Sequence, residues 1–133
     1  AEEIARSGRS EGFVWTTGSW LPHQYLRTAS DGARDRMVYA IRNHWFSWHG
    51  LPCTLHSEYA DGALFDYGLS ISRKLDATFG RHTIGAKYTD VPGHTAAIVP
   101  RLARAGIQFL HIGVNPASTP VDVPLFFRWR FGG

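Results

Sequence analysis

Residues 83–114, TIGAKYTDVPGHTAAIVPRLARAGIQFLHIGV, decide how this chain is read. Residues 83–89 form a short β-rich run, and residues 109–114 form another. Between them, residues 95–105 carry Ile98 and Leu102 at helical spacing, and Gly106 follows as a stop. Pro100 lies inside that helical pattern. It removes one backbone donor, so it should kink or shorten the helix. Strand, helix and strand in this order make a βαβ unit, whose two strands must run parallel.

The same rhythm extends toward the N-terminus. Residues 13–17 and residues 53–56 read as two further strands. Residues 34–48 place Met37, Ile41, Trp45 and Trp48 on one helical face, so both tryptophans are expected in the core. Residues 63–78 place Leu64, Gly68, Ile71 and Leu75 likewise, with Gly80 just past the end. The expected fold class is therefore α/β: an incomplete (β/α) barrel of parallel strands, with about four βα units of a roughly seven-stranded barrel. Five Trp and eight Phe are many for four strands standing alone, which favours this over a complete doubly wound domain. Residues 1–133 read as a single piece of such a domain. Residues 116–133 form an irregular extension marked by Pro116, Pro120 and Pro124.

Composition narrows the classes of function. The chain has 133 residues, 44% of them hydrophobic, which is a globular composition. The net charge of +3 comes mostly from scattered arginines with no basic block, so nucleic acid is not an expected partner. No apolar run approaches the ~18 residues of a membrane helix, so no membrane partner is expected either. Cys53 is the single cysteine, which leaves no internal disulfide and no cysteine-based zinc site. Residues 1–10 carry no apolar signal-peptide core, and the chain does not start with Met. That start suits a chain cut from a longer protein, with the remainder of the parent barrel as its structural partner.

In parallel α/β folds, ligands bind beyond the carboxyl ends of the strands. The expected strand ends deliver Trp20, then His56 and Glu58, then Asp90 and His94, then His111 and Asn115. Asp90 opens the segment TDVPGHT at residues 89–95. Pro92 and Gly93 make a tight turn there, and Thr95 can cap the next helix. Two readings of Asp90 stay open. It is an oriented, ionised carboxylate suited to glycosyl attack or zinc ligation, or it caps backbone N–H groups. Glu58 is a candidate for the second carboxylate that retaining hydrolysis needs, although a rim residue that hydrogen-bonds a ligand or pairs with an arginine is the better reading. His56 and His111 line the pocket or sit in the core, and Trp20 could stack on a sugar ring.

Residues 75–115 resemble the nucleophile region of glycoside hydrolase family 38 α-mannosidases. There an Asp-Pro-Phe-Gly-His-Ser motif follows a strand, and this chain has Asp90-Val91-Pro92-Gly93-His94-Thr95. Over residues 13–130, the stretches FVWTTGSWL, WHGLPCTLHSEYAD, AKYTDVPGHT and LHIGVNPAS are similar to an uncharacterised family related to those enzymes, domain of unknown function 5054.

The resemblance implies a metal-assisted glycosidase acting on carbohydrate. Asp90 would be both nucleophile and zinc ligand, and His94 would support it. The remaining zinc ligands and the general acid would lie outside this chain, which alone would be inactive. Val91 and Pro92 depart from the motif, and the arginine expected near Gly113 has no match. Two alternatives stay open, the second of them because of those departures. One is a polysaccharide deacetylase-like metal hydrolase, and the other is a non-catalytic carbohydrate-binding domain with a decayed site.

Overall fold

A computed structural model describes residues 13–91, 93–119 and 121–132. Strand β1 (Trp15–Gly18) leads directly into helix α1 (Trp20–Thr28). Helix α2 (Asp31–Arg42) and strand β2 (Phe46–His49) follow. An irregular segment containing a 3₁₀ turn at Ser57–Tyr59 then reaches helix α3 (Gly62–Phe79). Strand β3 (Gly85–Tyr88), a 3₁₀ turn at Ala96–Ile98, helix α4 (Val99–Arg104) and strand β4 (Phe109–Ile112) complete the order.

The strands form two parallel pairs, β1 with β2 and β3 with β4. Trp15 faces Phe46 and Gly18 faces His49 in the first ladder. Gly85 faces Phe109 and Tyr88 faces Ile112 in the second. The pairs meet at one backbone bond, in which Gly50 N–H donates to the Gly85 carbonyl at 2.8 Å.

The described residues thus form a small α/β domain with four helices and two two-stranded parallel sheets. This overturns the expectation of about four βα units of an incomplete (β/α) barrel. Strands of four residues give each pair little to extend, and a barrel closes only when every strand has two ladder neighbours.

Two element assignments fail for a local reason. The helix expected over residues 34–48 stops at Arg42, and His44 adopts φ 60°. Phe46 and Trp48 are buried while Ser47 and His49 are only half-buried, which is a strand's period of two. Trp45 and Trp48 had suggested a helical period because they lie three positions apart. With the strand placed at 46–49, residues 53–56 become irregular chain rather than a strand. Helix α1 was not anticipated. Pro22 sits in its first turn, where a missing N–H costs nothing.

The other helices follow their sequence signals. Asp61 caps α3, its Oδ1 accepting from Leu64 N–H at 2.8 Å, and Gly80 ends it at φ 64°. Helix α4 is short, with Pro100 in its first turn. Thr95 caps the preceding 3₁₀ turn through Ala97 N–H.

The core has two parts. Phe65 and Leu69 of α3 pack with Leu51, Ala86, Tyr88, Ile98, Leu102 and Ile107. Ile41, Phe46, Trp48 and Leu75 form the second cluster beneath α2. Gly68 and Gly18 both face Pro52, so the turn after β2 is pressed against α3 and against the end of β1. Ser19 N–H and Trp20 N–H donate to the Leu51 and Pro52 carbonyls at 2.9 and 3.1 Å, which fixes the same junction.

Candidate functional site

Three segments beyond the carboxyl ends of β2, β3 and β4 are fastened to one another. Gly113 N–H donates to the Tyr88 carbonyl at 2.9 Å, continuing the β3–β4 ladder past its last pair. Asn115 Nδ2 donates to the Asp90 carbonyl at 3.3 Å, while its Oδ1 accepts from Ala117 N–H at 2.9 Å. The Thr54 and Thr89 hydroxyls lie 3.3 Å apart. Ser57 Oγ accepts from Thr95 N–H at 3.0 Å and stands 3.3 Å from His94 Nδ1. The residues after β2 and those after β3 therefore form one rim.

Tyr88 and His94 form the floor of this rim. Their rings stack with centroids 4.1 Å apart and planes inclined by 17°. Tyr88 is fully buried, and neither its Oη nor His94 Nε2 has a hydrogen-bond partner among the described residues. Burial raises the Tyr88 hydroxyl well above the ordinary phenol range, and negative charge at Cys53 and Glu58 adds to this. Burial also lowers the His94 imidazole. Glu58 opposes that shift and His56 reinforces it. Both rings are thus neutral near pH 7, and Glu58 and His56 lie close enough to influence them. The His56 ring also contacts Tyr59, with centroids 5.5 Å apart.

The residues expected at the rim separate into two groups. Asp90, His94, Glu58, His56 and Asn115 come together there. Asp90 has φ 65°, an exposed side chain, and no hydrogen bond to its carboxylate among the described residues. His94 gives its Nδ1 to Ser57 and its face to Tyr88, rather than supporting Asp90. His111 lies elsewhere. It is on β4 opposite Lys87 and faces a cleft over the strands. Trp20 is the first residue of α1, 43% exposed and tilted against His23.

Ser57 was given no role by the sequence, and Tyr88 and His49 were not anticipated. Ser57 had one visible signal, its position between His56 and Glu58. Tyr88 carried the alternation of its strand. His49 becomes a strand-end residue once β2 is read with a period of two.

Zinc does not fit the described residues as a complete site. No three His, Cys, Asp or Glu side chains among them are grouped to hold a metal ion, and Asp90 could offer only one ligand of the several required. No helix of the described chain is long and apolar enough to cross a membrane. Comparison with protein-family models, with curated proteins and with solved structures finds no match to this chain.

Proposed function

We propose that the rim beyond β2–β4 is part of a carbohydrate-hydrolysing site of the α-mannosidase kind, with Asp90 as the carboxylate that meets the sugar. One observation carries the reading. Asp90 holds a left-handed backbone conformation just past a half-buried strand, its carbonyl tied to Asn115, and its carboxylate faces solvent. Asp and Asn adopt this conformation more readily than most residues, and it re-aims a side chain out of the strand direction. An exposed carboxylate with no hydrogen-bond partner among the described residues is free to attack an anomeric carbon or to ligate a metal. Retaining hydrolysis needs a second carboxyl group about 5 Å from the first. Glu58, on the adjoining segment, is the candidate that this chain supplies. Zinc, if bound, would polarise sugar hydroxyls, and its other ligands would come from outside the described residues.

A second reading, a carbohydrate-binding surface without turnover, is favoured by the engagement of His94 with Ser57 and Tyr88 instead of Asp90. Incubation of the full protein with a 2-deoxy-2-fluoro α-mannosyl fluoride, followed by peptide mass spectrometry, separates the two. The hydrolase reading expects a glycosyl adduct on Asp90 that Asp90→Asn abolishes. If aryl mannoside turnover is unchanged in Asp90→Asn, or sugar binds with no adduct, that reading fails.

A further inference from the structure

A cleft of about 450 Å³ opens over the strands, lined by Thr16, His49, Lys87, Phe109 and His111 among others. It lies on the sheet face opposite the core. Ala86 and Tyr88 point from β3 into the core, so Gly85 and Lys87 point the other way. Lys87 and His111 are direct ladder partners, and His49 comes from the neighbouring pair across the Gly50–Gly85 bond.

The polar groups here share one character. His49 Nδ1 accepts from Leu51 N–H at 3.3 Å, so the neutral ring carries its proton on Nε2 and offers a donor. Lys87 supplies an ammonium, and no ion pair of it occurs among the described residues. Thr16 adds a hydroxyl, and His111 a second imidazole. No Asp or Glu belongs to the described lining. Burial first, and the nearby Lys87 ammonium second, push the His49 imidazole down to about 4, so the ring stays neutral at pH 7. The walls are otherwise apolar, with Phe109 and Ile84.

We propose that this cleft binds a small molecule bearing a carboxylate or phosphate, held by Lys87, His49 and His111 with its body against the Phe109 ring. Donors converging without any fixed acceptor partner match an oxyanion and repel a cation. An aromatic wall suits a sugar ring or a short apolar body. Nothing in this proposal depends on Asp90.

Titration calorimetry with glucuronate, inorganic phosphate and glucose tests it, alongside side-chain imidazole NMR of His49 and His111. Glucuronate or phosphate should bind and shift both imidazole signals, while glucose should not. The tighter of the two anions identifies the head group. Lys87→Met keeps the stem of an exposed side chain, and it should weaken anion binding about tenfold without lowering the melting temperature. Arg36→Met, an exposed change on α2, should leave binding unaltered. Equal weakening by both variants, equal binding of glucose and glucuronate, or no anion binding at millimolar concentration would overturn the proposal.

Discussion

Asp90 and His49 give the sharpest expectations for single side chains. Asp90 sits at φ 65°, where a Cβ carries a steric cost that glycine avoids. Asp90→Gly should therefore fold with stability equal to or up to about 1 kcal/mol above the parent, while any function of the carboxylate is lost. Thermal unfolding of the variant measures this, and a loss above ~1 kcal/mol would mean that the carboxylate is structural.

His49 behaves differently because its imidazole is lowered to about 4. The unfolded chain takes up a proton near pH 6.5 that the folded state refuses until about pH 4. Its contribution is fully present above pH 6.5, declines between those values and is gone below. Partial exposure of the ring reduces this to on the order of 1 kcal/mol. The lowered imidazoles of His94 and His23 act in the same direction. Denaturant unfolding across pH 4–7 should show stability falling on acidification, with a shallower slope for His49→Gln. An unchanged slope in that variant would refute the assignment to His49.

At the level of elements, Asp76 joins α3 to β2 and to the approach to β3. Its Oδ1 accepts from Trp48 Nε1 at 2.9 Å and from the Thr83 hydroxyl at 2.8 Å, and its Oδ2 accepts from Thr83 N–H at 2.8 Å. Arg81 lies over the Trp48 ring at 5.0 Å and donates to the Phe46 carbonyl at 3.1 Å, closing the same corner. Asp76→Ala should cost roughly 2–4 kcal/mol, since it strands partly buried donors on two elements. The cap of α3 is worth less. Asp61→Ala should cost about 1 kcal/mol, because it removes one bond to a backbone N–H at an exposed helix end. Chemical denaturation of the two variants should rank them in this order, and a larger loss for Asp61→Ala would contradict the account. Gly18 illustrates a backbone constraint between elements. A side chain there would run into the Pro52 carbonyl, so even alanine would force β1 from the turn after β2.

At the scale of the whole molecule, the outer edges of β1 and β4 carry no further strand among the described residues. Trp15 on one edge strand and Phe109 on the other are each more than half exposed. Residues 121–132 contain no helix or strand, and Leu125 and Phe126 are almost fully exposed. Unpaired edges beside exposed aromatic surface promote association. Sedimentation of the 133-residue chain should therefore show concentration-dependent self-association, and Phe126→Glu should reduce it. A strictly monomeric chain at high micromolar concentration would contradict this expectation.

The sequence by itself determined the features that depend on neighbouring residues. The alternating runs of β3 and β4 were legible, as were the α3 span with its Gly80 stop and the shortening of the helix at Pro100. These rest on spacing and on backbone chemistry within a few residues. Of the rim, the turn after β3 that carries Asp90 and His94 was legible in the Pro92–Gly93 pair, whereas His56 and Glu58 reach it from irregular chain and not from the strand end expected there.

Tertiary structure decided what depends on distant partners. FSWH at residues 46–49 is a strand because Phe46 and Trp48 found a buried face against α2 and Leu75. Four residues are too few for their own pattern to outvote a helical reading. His94 turned to Ser57 and Tyr88, and His111 to Lys87, because packing between segments far apart in the chain chose those neighbours. The sheets stayed as two pairs because ladder closure is a property of the assembled strands, and no single strand encodes it.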